Sequence, residues 1–167
     1  MSWAWVCSGR QGLAAELSRG EQALRLLVDA ERLADAGDFV GAERVFGSCE
    51  AEYGDLALSD SARLGRALAT YGLEGREVDA VSQLFELAGG RREDPLGYPE
   101  AHAALAAALY GKRRTGPGRG AELDEAERQW ALAESFDPRF SDPEWVRSKR
   151  HWPPALVDAL RAFLDLT

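Results

Sequence analysis

Leu26-Leu27-Val28-Asp29-Ala30-Glu31-Arg32-Leu33-Ala34-Asp35-Ala36-Gly37-Asp38-Phe39-Val40-Gly41-Ala42-Glu43-Arg44-Val45-Phe46 carries the fold in its spacing. Leu26, Ala30 and Leu33 lie four and three residues apart, which puts them on one face of a helix. Gly37-Asp38 ends that helix and turns the chain. Phe39, Ala42 and Phe46 resume the rhythm on a second helix. A helical hairpin of this kind cannot bury its apolar stripe alone, so it must stack on another.

The frame recurs. Leu64, Leu68, Tyr71, Gly75, Ala80 and Leu84 repeat it, with Ala80 placed 38 residues after Ala42. A third copy lies in Asp124–Pro138, where Ala126, Trp130, Ala133 and Pro138 hold the second-helix positions. Ala126 follows Ala80 by 46 residues, and an insertion of about eight residues within Gly111–Gly120 restores the common step. Apolar periodicity predicts helices over 10–18, 21–36, 39–53, 59–73, 76–88, 99–111, 121–136, 143–150 and 154–166. They are broken at Gly37-Asp38, Gly54-Asp55, Gly89-Gly90, Gly116-Pro117-Gly118 and Asp137-Pro138. Small residues (Ala30, Ala42, Ala80, Ala126) let helices approach, while Phe39, Phe46, Tyr71, Leu84 and Trp130 fill the gaps. Leu26, Leu33, Leu68, Leu105 and Leu109 complete the expected core.

A helix closed by glycine, then a second helix presenting a small residue, an aromatic and a closing proline, resembles the tetratricopeptide repeat over residues 21–140. The first two copies lack the closing proline. The resemblance implies an all-α fold: a right-handed superhelical stack of antiparallel helix hairpins. Residues 1–20 would be an N-terminal extension with a short helix. Residues 21–140 would hold about three degenerate hairpins, with the insertion near 111–120, and 141–167 would be C-terminal capping helices. It also implies a concave wall that receives a partner helix or an extended segment. In this frame the wall is Leu27, Glu31 and Ala34, then Ala69 and Leu73, then Ala103, Ala107 and Tyr110. Some family members grip a carboxylate there with Lys, Asn and Arg; this chain has no Asn, and the wall offers few donors.

The C-terminal segment departs from the repeat. Asp142-Pro143 and Trp152-Pro153-Pro154 open two helices in quick succession, and Leu156, Leu160, Phe163 and Leu164 share a face. That face should cap the third hairpin around Leu132 and Phe136. In a competing reading, Trp145, Arg147, Arg150 and Trp152 form an aromatic and basic binding patch.

Composition limits the function classes. The 167 residues carry 28 acidic and 20 basic side chains, a net charge of −8, which disfavours nucleic acid and anionic lipid. The basic groups Arg91-Arg92, Lys112-Arg113-Arg114 and Arg147-Lys149-Arg150 are short. Ile and Asn are absent and Lys is rare beside Arg, a mark of GC-rich coding that discounts the arginine excess. No window is apolar enough to span a membrane, and the first residues lack the charged and apolar regions of a secretion signal. Cys7 and Cys49 need no staple in a chain this long. The expectation is a soluble protein of a reducing compartment, cytoplasm or plastid stroma, without direct membrane insertion.

No residue pattern points to catalysis or a cofactor. His102 and His151 stand apart without metal-ligand spacing, the serines lie outside any nucleophile elbow, and Gly111-Lys112 lacks the rest of a phosphate-binding loop. Expected, then, is a non-catalytic protein–protein interaction module or adaptor. The alternatives are a permanent subunit of a large complex, such as a photosynthetic membrane complex, and a substrate-recruiting module beside a separate enzyme. Exposed tryptophans (Trp3, Trp5, Trp145, Trp152) would mark the permanent subunit.

Overall fold

A computed structural model describes the backbone of residues 4–89, 98–113 and 119–166, and the side chains of residues 18–89, 98–111 and 120–166. Among the described residues every regular element is helical: α1 (Ala4–Asp35), α2 (Phe39–Tyr53), α3 (Ser59–Tyr71), α4 (Glu77–Ala88), α5 (Pro99–Arg113), α6 (Arg119–Phe136), a 3-10 turn (Pro138–Ser141), α7 (Pro143–Arg150) and α8 (Pro154–Leu164). From α1 to α6, each helix packs on the next. The predicted glycine and proline breaks fall between these helices wherever they are described. The break expected at Gly116-Pro117-Gly118 lies outside the described residues, as does Gly90.

Two turns share a left-handed glycine. Gly37, between α1 and α2, and Gly75, between α3 and α4, have φ of 79° and 76°. This left-handed region carries no steric penalty for glycine, so each residue redirects the chain into the next helix, Gly37 just past the end of α1 and Gly75 in the turn that follows the Gly72 cap of α3. After the first turn the Asp38 carboxylate accepts a hydrogen bond from the Gly41 N–H at 2.9 Å and caps α2.

The seam between α2 and α3 is built on missing side chains. A Cβ on Gly72 would stand 2.7 Å from the Phe39 ring, and one on Gly65 would clash with the edge of the Phe46 ring. Phe39 therefore meets Gly72 and Phe46 meets Gly65. Rising numbers on α2 run against falling numbers on α3, which makes this pair antiparallel. On another part of the seam, the Arg66 guanidinium donates to Glu43 and Glu50, both at 3.1 Å.

Of the predicted core, Ala30, Ala42, Phe46, Leu68, Tyr71, Ala80, Leu84, Leu105, Leu109, Ala126 and Trp130 are buried. Leu26, Leu33 and Phe39 are partly buried. One cluster joins Ala23, Leu27 and Ala30 of α1 to Ala42, Phe46, Cys49 and Tyr53 of α2. A larger one runs from α3 through α4, α5 and α6 to α8.

Two expectations need correction. Residues 10–18 and 21–36 are not separate helices, because α1 runs unbroken for 32 residues. Nothing packs where a Gly20 side chain would be, so that glycine costs helix propensity alone, about 1 kcal/mol. Arg19 next to it is fixed to Asp55 at 2.7 Å. The second correction concerns the cap. Leu132 and Phe136 stay 40% and 44% exposed, and α8 lies on α5 instead. Ala101–Leu109 of α5 is apolar around its whole circumference apart from His102, and every residue in it is buried. A helix of that kind needs cover on all sides. With α4 and α6 on two flanks, α8 supplies the third, and Phe163 meets the rings of Tyr110 and Trp130 edge-on at 5.7 and 5.5 Å.

Candidate partner-binding recess

Two recesses open beside the C-terminal segment. The first, of about 410 Å3, has Ala34 of α1, Phe39 and Phe46 of α2 and Leu64, Leu68 and Ala69 of α3 as apolar lining. Glu31, Tyr98, Glu100 and the run Lys149-Arg150-His151 stand around it. The second, of about 680 Å3, is aromatic, with Phe136, Phe140 and Trp145 beside Arg139. Tyr98, Glu100, Lys149 and Arg150 line both, so the two recesses adjoin at these residues.

Local chemistry brings the C-terminal residues there. Asp137 and Asp142 cap the 3-10 turn and α7 with their carboxylates, the second accepting from the N–H groups of Glu144 and Trp145 at 2.9 and 3.1 Å. Pro143 occupies the first turn of α7, as its sequence position predicts. His151 closes α7 in a left-handed conformation with φ of 57°, which swings the chain back toward α1. Its Nδ1 then lies 2.7 Å from Oδ1 of Asp35, at the end of α1. This contact ties together residues 116 apart in sequence.

Glu100 anchors the junction of the two recesses. It is 3% exposed, accepts a hydrogen bond from the Trp152 indole Nε1 at 2.9 Å, and is ion-paired with Arg150. A buried carboxylate is tolerable only when its lone pairs are satisfied in this way. The hydrogen-bonded Glu100 carboxylate pushes the Arg150 guanidinium above its ordinary range against the pull of burial, and the charges of Tyr98 and Glu31 add to the effect. The Arg150 Nε is buried without a hydrogen-bond partner. In the second recess the Arg139 guanidinium, bonded to Asp137 at 2.7 Å, holds that carboxyl below the usual range, helped by the Arg139 backbone N–H. Arg139 also lies 4.7 Å from the centre of the Trp145 ring, which packs edge-on against Phe140.

The residues predicted for the wall divide. Glu31, Ala34 and Ala69 line the first recess, and Arg150 lines both. Leu27 is buried between α1 and α2. Ala103 and Ala107 are fully buried, on the helix that α8 covers, and Tyr110 lies half-buried against Phe163. Leu73 is half-buried in the turn after α3 and lines neither recess. The aromatic and basic patch divides as well: Trp145 lines the second recess, Trp152 is buried on Glu100, and exposed Arg147 turns to Glu144 at 2.8 Å. Trp3 and the Trp5 side chain lie outside the described residues.

Sequence reasoning missed Glu100, Tyr98, Lys149 and the Phe136–Phe140 pair. Only the run Lys149-Arg150-His151 behind a capped short helix signalled that charge would gather there. His102 is buried and bonds through Nδ1 to Gln129 Oε1, a packed residue of α5. Cys49 is also buried, its thiol pushed up by desolvation and then by Glu52. Among the described residues no three His, Cys, Asp or Glu side chains are grouped to hold a metal ion, and no helix is long and apolar enough to cross a membrane. No family model, curated protein or solved structure matches the chain.

Proposed function

We propose that this chain is a non-catalytic protein-interaction module of tetratricopeptide-like architecture, and that it takes a segment of another protein into the recess between α1, α2, α3 and the α7–α8 turn. The observation that carries the reading is the recess itself. At about 410 Å3 it falls within the size range of binding pockets, and it joins an apolar floor to a few converging charged groups. The repeated glycine turns at Gly37 and Gly75 support the repeat architecture. Because Leu27 is buried and α8 covers α5, only Glu31, Ala34 and Ala69 of the expected wall line the recess, which favours a short extended segment over a long docked helix. The sign set out for a permanent subunit, freely exposed tryptophans, gives that alternative no support where it can be read: Trp152 is buried and Trp145 half-buried.

The test is affinity capture from the native source with the intact chain beside Ala34→Trp, which fills the recess from the α1 side. A genuine partner is retained by the parent chain and by a surface control, Arg44→Ala, and is lost with Ala34→Trp. A partner retained equally by all three binds elsewhere, and the reading fails. Size-exclusion chromatography of the isolated chain separates an adaptor, which elutes as a monomer, from an obligate subunit, which aggregates.

A further inference from the structure

We infer that the partner segment is extended and carries an acidic side chain between two apolar ones, with the acid placed over Lys149. This inference rests on the recess reading above and specifies its ligand. The two recesses share Tyr98, Glu100, Lys149 and Arg150, so a chain laid across both recesses crosses these four residues on its way from the Phe39–Phe46–Leu68 floor to the Phe136–Phe140–Trp145 floor. The charges at the crossing decide what it can carry. Arg150 is neutralised by Glu100 and also feels Glu31; Arg139 is neutralised by Asp137; His151 is held by Asp35. Lys149 is exposed and, among the described residues, pairs with no carboxylate. Among the described residues it is therefore the cation of the crossing whose charge no neighbour offsets, in a protein of net charge −8. An acidic side chain there gains an ion pair without having to displace an existing one. A basic side chain would meet Lys149 head-on, and an apolar one would cover an ammonium without compensation. Glu31 lies in the first recess, so the apolar residue at that end should not itself be followed by an acid.

The probe is a pool of capped heptapeptides with Leu, Phe or Trp near both ends and Glu at the centre, tested beside the same pool with Lys at the centre. Capping at both ends removes any terminal carboxylate. Binding is read from the indole N–H resonances of Trp145, in the second recess, and Trp152, bonded to Glu100; Trp→Phe variants assign them. The expected result is saturable movement of both resonances with the acidic pool. Lys149→Glu should weaken binding at least about tenfold, while Arg147→Glu, engaged by Glu144 outside both recesses, leaves it unchanged. Equal binding of the acidic and basic pools, or no loss with Lys149→Glu, overturns the acidic specificity while leaving the recess reading intact. Binding that Ala34→Trp does not disturb overturns the recess reading itself. No saturable shift with the acidic pool up to about 1 mM refutes the inference outright.

Discussion

Alanine at position 65 tests the α2–α3 seam through the sign of its effect. In a helix interior, Gly→Ala ordinarily stabilises by about 1 kcal/mol, because it removes backbone freedom from the unfolded chain. Gly20 in α1 is such a site, with nothing within 4 Å of a new Cβ, so Gly20→Ala should stabilise by about that amount. At Gly65 the same methyl would clash with the edge of the Phe46 ring, which is only 4% exposed and cannot swing into water. Overpacking of this kind costs about 1–3 kcal/mol. Because the helix term is common to both substitutions, the difference between them isolates the seam and should itself be about 1–3 kcal/mol. For a chain of 167 residues that separates the two melting temperatures by about 2–12 °C. Urea melts at fixed pH give the same difference through midpoints at unchanged slope. If Gly65→Ala is as stabilising as Gly20→Ala, Phe46 does not sit on Gly65 and the antiparallel register of α2 on α3 is wrong. A second check is that Phe46→Leu should relieve the Gly65→Ala penalty, so the double variant is less destabilised than the two single effects added.

Glu100→Ala should destabilise by about 2–3 kcal/mol, since it strands the Arg150 guanidinium and the Trp152 indole together; thermal melting measures the loss, and an effect within about 0.5 kcal/mol would disprove the anchor. Phe163→Ala removes the ring between Tyr110 and Trp130 and should cost about 3–5 kcal/mol. Deletion of residues 152–167 should then expose the α5 face to a hydrophobic dye while Leu132 and Phe136 report no change, and dye binding confined to α6 would contradict the position of α8. Burial, and secondarily Glu77, raises the Tyr71 hydroxyl above 10.0 in the folded chain. The unfolded chain therefore releases this proton first, and the stabilisation, complete below about pH 10, drains away as pH rises through the folded value. The urea midpoint should fall above pH 10 with a slope that Tyr71→Phe reduces; an unaltered slope would refute the assignment. In a Cys7→Ser background, Cys49 should react with a thiol reagent only in denaturant, because the thiol is buried and its anion disfavoured. Rapid labelling of the folded chain would show that α1 and α2 are not closed over it.

What the sequence revealed follows from the range of the forces involved. Helix ends and turns are set locally, by Gly37, Asp38, Gly75, Asp142 and Pro143, and these could be read from the chain. So could the alternation of small and large residues that buries Ala42, Phe46, Ala80 and Trp130. The expected gap between helices 10–18 and 21–36 is bridged because a glycine such as Gly20 costs a helix only about 1 kcal/mol, too little to break it. The seat of α8 could not be read at all: its stripe of Leu156, Leu160 and Phe163 says that it must be covered, not by what. The answer lay in α5, whose alanine run looks like an ordinary repeat helix until one asks how many sides of it need cover. The site was half visible for the same reason. Glu31, Ala34 and Ala69 follow from helix register, whereas Glu100 meets Arg150 and Trp152 across 50 and 52 residues, and Lys149 acquires its significance from which of its neighbours are already paired.

The position of α8 also closes one flank of the helix stack. Arrays of stacked helix pairs can lengthen by duplication, because each new pair rests on the exposed flank of the last. Here the flank of α5 that would be left open is filled by α8, with Gly111 bare so that Ala159 can come close; a Cβ there would be 3.0 Å from the Ala159 methyl and 2.6 Å from the Tyr71 hydroxyl. A pair inserted after α6 would have to carry α8 away from that seat or leave it stranded from the new end. α8 acts as a stop written in packing: another pair docked on this flank would have to begin by rebuilding α5.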